Sequence, residues 1–405
     1  MPRVKPHCTW LICDKKRDLL SPACVAGGRR AVVFYIPTQE SIGTRFAGCK
    51  CKLIIDEPRT LLEYNPNMPA VSVLMPCYNA AETIDEALRS LALQSFTNFE
   101  IVAVDDDSTD ATPQILHDWS SRDERIRIIS QEHTGIVEAL NAGLEACRAP
   151  YVARMDSDDR CHPERLTRQV AYLKAHPEID LVSCRVAGFP KEQVREGFQI
   201  YLDWLNSLLT DEDIRREIFV ESPLPHPSVT FRRDAVLQAC GYQDHGWAED
   251  YDLWLRLYLR GTRFAKLPQV LLEWRESPER LTRSDSRYSL ENFLRAKAHY
   301  LACGPLAGHD AVIMWGAGMT GRRLSKHLLR QNAPLVCYID IDERKIGGTL
   351  RGLPVLSPDE LPVCWSRWEN PVLLSAVGAR GARMLIRQRL TTFGLREGKD
   401  WWGVA

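Results

Sequence analysis

The chain has 405 residues, a formal net charge of -1, 45% hydrophobic residues and 26% charged residues. That is ordinary globular composition, and the near-neutral charge argues against nucleic acid as a partner, since binders of nucleic acid carry a clear basic excess. No apolar run approaches the ~20 residues of a membrane span, and no secretion signal opens the chain, so the sequence reads as cytoplasmic with no transmembrane segment; peripheral membrane association stays open.

At roughly 100–200 residues per domain, the length suggests two or three domains. Residues 1–67 show no sustained periodicity apart from one strand-like run, Ala31 to Ile36, and end in the breaker-rich Asn65-Pro66-Asn67-Met68-Pro69. They read as a poorly structured extension, or as an over-extended start ahead of Met68. Cysteines 8, 13, 24, 49 and 51 lack the paired C-x2-C spacing of a metal site. The others, such as Cys77, Cys147, Cys184 and Cys337, fall inside apolar runs and read as packed thiols.

From Val71 the pattern changes. Val71 to Met75 is a short apolar run, as in a buried strand. Ile84, Ala87, Leu88 and Leu91 then fall on one helical face. Phe99 to Val104 predicts a second strand, and Thr112-Pro113 opens a helix with proline at the first helical position. Ile126 to Ile129 predicts a third strand. Ile136, Ala139, Leu140, Gly143, Leu144 and Cys147 form a long helical stripe, and Tyr151 to Met155 predicts a fourth strand. Such alternation builds a parallel sheet with helices on both faces. Ligands of these sheets bind at the carboxyl ends of the strands.

Those ends are polar. The first carries Pro76-Cys77-Tyr78-Asn79, the second Asp105-Asp106-Asp107-Ser108-Thr109-Asp110, and the fourth Asp156-Ser157-Asp158-Asp159. Aspartate also favours turns and helix caps, and either cluster alone would fit that plainer reading. Two ionised clusters on one rim would repel each other, however. Hard oxygen ligands of this kind suit Mg2+ or Mn2+, held by one or two carboxylates and substrate phosphate.

Four segments together resemble family 2 glycosyltransferases, which have the GT-A nucleotide-diphospho-sugar transferase fold. Val71 to Asn79 looks like the family's opening strand. Val104 to Asp110 resembles its second motif, where the family usually has glycine at the place of Asp107. Arg154-Met155-Asp156-Ser157-Asp158-Asp159 resembles its DxD motif, and Ala248-Glu249-Asp250-Tyr251-Asp252 its ED motif. The four stand in the family's order over about half the chain. The resemblance implies an inverting, metal-dependent glycosyltransferase over residues 68–288, moving a sugar from a nucleotide-diphosphate donor to a glycan, lipid-linked or protein acceptor. It implies that Pro76, Tyr78, Asn79, Asp105, Asp106 and Asp156 line the nucleotide, with Asp156 and Asp158 at the metal.

A nucleotide sugar carries its own leaving group, so transfer needs charge stabilisation and a base for the acceptor hydroxyl rather than a protein nucleophile. Asp250 is the expected base and Glu249 its alternative. Both sit near a helix start, where carboxylates also merely complement the helix dipole. His226, Trp274 and Arg275 are candidates for the acceptor side, although a lone histidine and a tryptophan are as readily explained by burial. The metal-binding histidine that many family members place shortly after the strand holding Leu272 to Arg275 is replaced by Glu276-Ser277-Pro278-Glu279-Arg280.

Residues 289–310 predict a helical linker, with Leu290 to His299 as its helix. A second, smaller Rossmann-like α/β unit follows over 311–405, with strands at Ala311 to Trp315, Leu335 to Ile339 and Val372 to Ala376 and helices at Met319 to Leu329 and Ala382 to Phe393. Gly316, Gly318 and Gly321 form G-x-G-x-x-G between a strand and a helix, and Asp340 ends the next strand where a ribose-binding acid stands. The unit reads either as a second nucleotide site or as a structural or regulatory appendage. It also carries the competing function, an NAD(P)-dependent oxidoreductase or sugar-nucleotide-modifying enzyme, for which no hydride-transfer partners are evident.

Overall fold

The computed structural model describes residues 68–277 and 280–405; the expectations for residues 1–67 lie outside them. Two sheets form, and both belong to one compact unit.

The first sheet has eight strands: β1 (Val71–Cys77), β2 (Phe99–Asp105), β3 (Ile126–Ser130), β4 (Tyr151–Arg154), β5 (Arg160–Cys161), β6 (Leu181–Phe189), β7 (Thr230–Arg232) and β8 (Phe264–Arg275), in the order β3-β2-β1-β4-β7-β6-β8-β5. β1 is buried along its whole length. Alternate residues of a strand point to opposite faces, and here both faces are covered. Val71, Val73 and Met75 pack with Ile84, Leu88 and Leu91 of the helix Ile84–Ala92. Leu74 packs on the other face with Val102, Val104 and Leu140. In the helix Ile136–Ala146, a Cβ on Gly143 would stand 2.2 Å from Leu74 Cδ1, so a larger residue there would displace Leu74 or push the helix off β1.

The half β3-β2-β1-β4 is parallel, as the alternation predicts. The other half departs from it: β7 runs antiparallel to both β4 and β6, and β5 antiparallel to β8. β7 and β5 are only three and two residues long, too short to leave a periodicity in the sequence. Helices over Arg165–Ala175, Glu196–Ser207 and Asp211–Glu217 also belong to this half. The mixed sheet with one parallel half is the GT-A architecture.

The second sheet has six strands: β9 (Ala311–Trp315), β10 (Leu335–Ile339), β11 (Thr349–Leu350), β12 (Leu353–Leu356), β13 (Pro371–Ser375) and β14 (Trp401–Gly403), in the order β11-β12-β10-β9-β13-β14. All pairs but β11–β12 are parallel. A Cβ on Gly321 would lie 1.8 Å from Gly316 O, so these glycines set the close packing of the helix Met319–Arg330 under β9. The helix Leu290–Cys303 joins the sheets. Its buried Lys297 donates from Nζ to Val220 O, at 2.5 Å, and to Val404 O, at 3.4 Å. Glu217 pairs with Arg383 and Arg387, and Trp402 Nε1 donates to Tyr258 OH. All described cysteines are free thiols. No described helix is long and apolar enough to cross a membrane.

Candidate active site

The carboxyl ends of β1, β2 and β4 bring the polar motifs together. Asn79 and Asp107 both adopt positive φ, 48° and 63°. Asp107 thus takes up the left-handed turn that glycine usually supplies, which aspartate tolerates better than most residues. Asn79 ties the β1 and β2 ends together: its N–H donates to Ser108 Oγ at 2.9 Å, and its Oδ1 accepts from Thr109 N at 2.8 Å. Pro76 is buried within β1, opposite Val104 of β2. Tyr78 is 49% exposed and stacks on His133, with ring centroids 4.3 Å apart.

Asp105 is buried, and its Oδ1 accepts from Ser108 N at 3.3 Å. The carboxylate of Asp106 is taken up by the turn after β3. It accepts from Gln131 Nε2 (2.7 Å), Thr134 N (3.0 Å) and Gly135 N (2.9 Å) and lies 2.9 Å from His133 Nδ1. Burial raises its pKa, but these hydrogen bonds outweigh it and hold the group below the usual carboxylate range. Asp106 therefore positions His133, which in turn stacks on Tyr78. His133 has no signal in the sequence beyond a histidine in a loop, and only the packing singles it out.

After β4, Asp156, Asp158 and Asp159 each offer a carboxylate oxygen, all within 4.8 Å of one another. Burial, and then the Asp156 charge, raises the Asp158 pKa to about 6. Asp159 is raised further by burial and Asp158. Its Oδ1 accepts from Arg275 N at 2.7 Å, while its buried Oδ2 has no hydrogen-bond partner. A buried, uncompensated carboxylate oxygen is costly, and three mutually repelling hard donors fit a divalent cation of the Mg2+ or Mn2+ type. Asp159 joins the two aspartates of the motif expected from the sequence. Arg275 belongs to this cluster rather than to the acceptor side: Nε donates to Asp158 O at 2.6 Å and its other end pairs with Glu86.

The ED motif opens the helix Glu249–Leu259, and its three acids have separate fates. Asp252 is fully buried and structural, accepting from Trp247 Nε1 (2.8 Å), Tyr300 OH (2.6 Å) and Arg256 Nε (2.7 Å). Glu249 is buried, and its Oε2 accepts from Tyr288 OH at 2.6 Å. Asp250 accepts from Tyr251 N at 2.6 Å and opens onto a cavity of about 400 Å³, walled by Phe198, Tyr201, Trp274, Arg280 and Phe293 among others. Burial and the neighbouring Glu249 raise the Asp250 carboxyl to about 8. Trp274 thus shares a cavity with Asp250. His226 does not: it is buried behind the motif, bonded through Nε2 to Tyr242 OH at 2.8 Å and edge-on to Trp254. The second-sheet residues Gly316, Gly318 and Asp340 stand apart, around a cavity of their own, with Gly321 packed beneath Gly316 rather than lining it.

Known proteins resemble this chain in sequence. Residues 72–241 match the family described as Glycosyl transferase family 2. The amylovoran biosynthesis glycosyltransferase AmsE of Erwinia amylovora is 36% identical over 207 residues, which cover 50% of this chain and 75% of that one. EpsE of Bacillus subtilis (strain 168) is 31% identical over 240 residues, 58% of this chain and 82% of that one. A solved structure of S. aureus TarS 1-349 in complex with UDP-GlcNAc is similar at 22% identity and a TM-score of 0.48, covering 64% of this chain and 72% of that one. With a family match over the parallel half and the adjoining strands, and two relatives aligned over most of their own length, the chain belongs to glycosyltransferase family 2 and is a glycosyltransferase.

Proposed function

We propose that the enzyme transfers a sugar from a nucleotide-diphosphate sugar to an acceptor hydroxyl in one displacement that inverts the anomeric centre, and that it requires a divalent metal. The observation that carries this reading is Asp250: a carboxyl held at about 8, facing a cavity large enough for a sugar and lying within the field of the Asp156 cluster. A base works best with a pKa near the working pH. Asp250 takes the acceptor proton as the hydroxyl attacks from the face opposite the departing diphosphate. Glu249, engaged by Tyr288, holds the start of the helix and raises the Asp250 pKa.

Asp156, Asp158 and Asp159 would hold the cation. Bound there, Mg2+ or Mn2+ supplies Lewis-acid stabilisation of the leaving diphosphate. On the donor side, Tyr78 offers its exposed face to the base, backed by His133, with Asp105 beside it; Pro76, Asn79 and Asp106 shape that pocket. On the acceptor side, Trp274, Phe198 and Tyr201 form an aromatic wall of the kind on which a sugar ring stacks. Relatives named for amylovoran and O-antigen biosynthesis suit a glycan acceptor, free or lipid-linked, more than a protein. A cytoplasmic enzyme that meets a membrane-held acceptor peripherally completes the reading. No observation favours the oxidoreductase alternative.

The test is a screen of UDP-, GDP- and TDP-sugars with a glycan acceptor, in Mn2+ and in chelator, with the product anomer assigned by NMR. Metal-independent turnover, or a product that keeps the donor's anomeric configuration, would overturn the corresponding part.

A further inference from the structure

The second sheet holds a cavity of about 570 Å³, larger than the one at Asp250, and transfer on the first sheet does not use it. It lies over the carboxyl ends of β9, β10 and β13. The chain runs β9, β10, β12 toward one edge and then returns to place β13 on the other side of β9. That reversal is a topological switch point, the place where open α/β sheets take ligands. Residues on both sides of the switch, Gly318 and Thr320 after β9 and Val377 and Gly378 after β13, line the cavity.

Its chemistry is divided. One part is apolar: Met319 and Ile341 stand 69% and 77% exposed at the mouth, an unusual setting for such side chains, and Leu385 is exposed beside them. The other part is polar. Asp340 is 7% exposed, and it accepts from Ala317 N at 2.8 Å and Asp342 N at 3.0 Å. Lys345 Nζ lies 3.1 Å from its Oδ2. The twelve-residue helix Met319–Arg330 points its first turn at the cavity with no side chain capping it and no acidic residue in that turn. The ionisable groups of the lining are Asp340, Lys345, Asp359 and Arg389, and they form two ion pairs, Asp340–Lys345 and Asp359–Arg389. No lining group is left as an acid, base or nucleophile of the kind catalysis needs.

We infer that this cavity binds, without transforming it, a ligand carrying a ribonucleoside 5′-diphosphate unit. The ribose hydroxyls meet Asp340. The phosphates meet Lys345 and the uncapped first turn beyond Gly318. The base lies against the apolar mouth. A free nucleoside diphosphate and a dinucleotide share this unit, and no polar side chain of the mouth selects one base.

Gly318 provides a variant that spares the fold. Its φ is negative, and a Cβ there meets nothing within 4 Å. Gly318→Asp therefore places a carboxylate where phosphate binds without packing strain. Titration calorimetry of the full chain in chelator uses ADP, UDP and NAD+ as separate probes. At least one is expected to bind at one site per chain, weakened about tenfold or more by Gly318→Asp, which sets a carboxylate against the phosphates, and by Asp340→Asn, which removes a charge-assisted contact. Binding of ADP or UDP as tight as or tighter than that of NAD+ makes the ligand a mononucleotide; tighter binding of NAD+ makes it a dinucleotide. Asp105→Ala, which alters only the first sheet, should leave this binding unchanged, so its failure is separable from that of the donor site. No heat with any probe at millimolar concentration overturns the inference. So does binding that Gly318→Asp leaves intact.

Discussion

The guanidinium of Arg154, 3% exposed, lies 2.5 Å from the carboxylate of Asp156. The same cation acts on Glu249 and Asp250, lowering pKa values that burial raises. One buried charge is therefore shared between the DxD and ED motifs. It explains how carboxylates from β4 and from a distant helix can be packed into one site before any substrate arrives.

Arg154→Met should expose that dependence. Removing one partner of a buried pair typically costs ~3–5 kcal/mol, because the other charge is left uncompensated. Urea unfolding at pH 7 should show a loss of about that size. The loss should grow toward pH 9, as Asp250 ionises through about 8 and comes to need the cation. An unchanged midpoint at pH 7 would show that Arg154 supports neither motif.

Tyr78→Ala tests the donor side. Tyr78 is half exposed and backed by His133, so its loss removes a stacking face without opening a core. Base–aromatic stacking is worth ~1–3 kcal/mol, so nucleoside-diphosphate affinity should fall about tenfold or more by calorimetry. Unfolding midpoints should stay within about a degree, as for other exposed positions. Equal affinity in the variant would place the base elsewhere.

Asp158→Asn separates the metal from the fold. In chelator, the wild-type cluster of Asp156, Asp158 and Asp159 is mutually repelling, so the variant should melt at or above the wild type. Saturating Mn2+ at 100 times its Kd stabilises a protein by about 2.7 kcal/mol, and that rise should appear in the wild type alone. A variant that keeps both the Mn2+-dependent rise and its turnover would remove Asp158 from the ligand set.

Much of this was legible in the sequence, and for physical reasons. Strands buried on both faces are continuous apolar runs, so β1, β2, β9 and β10 were predicted to within a residue or two. The stripe Ile84, Ala87, Leu88, Leu91 is the set that the helix buries. β5, β7 and β14 were not legible, because two or three residues carry no period. The Asp clusters were legible as motifs, but not the division of labour within them. That Asp106 braces a turn, that Asp252 is wholly structural and that Arg275 backs the acid cluster all depend on contacts between residues remote in sequence. The same holds for His226, whose neighbours Tyr242 and Trp254 bury it.

Asp250 yields the most discriminating prediction, because its two roles act oppositely with pH. As a base it must be unprotonated. The rate should rise with pH and level off above about 8, the value set by burial and by Glu249. As a buried carboxyl whose folded pKa lies above its unfolded one, it binds a proton more tightly in the folded chain than in the unfolded chain. Its contribution to stability is therefore greatest below the unfolded pKa and declines as pH rises toward about 8. Asp250→Asn removes the charge but keeps the shape. Transfer should fall ~10²–10⁴-fold and lose its alkaline rise. Nucleotide-sugar affinity should persist, since Tyr78, Asp105 and the Asp156 cluster lie on other strand ends. At pH 9 the variant should melt above the wild type, and at pH 5 the difference should be small. Glu249→Gln is the control: Glu249 already accepts from Tyr288, so its loss should shift the pH profile toward acid by relieving Asp250, with a smaller change in rate. Full kcat in Asp250→Asn together with a collapse in Glu249→Gln would move the base by one residue. Unchanged rates in both would leave the pair as helix-dipole partners and place the base elsewhere in the cavity, where Glu221 also stands.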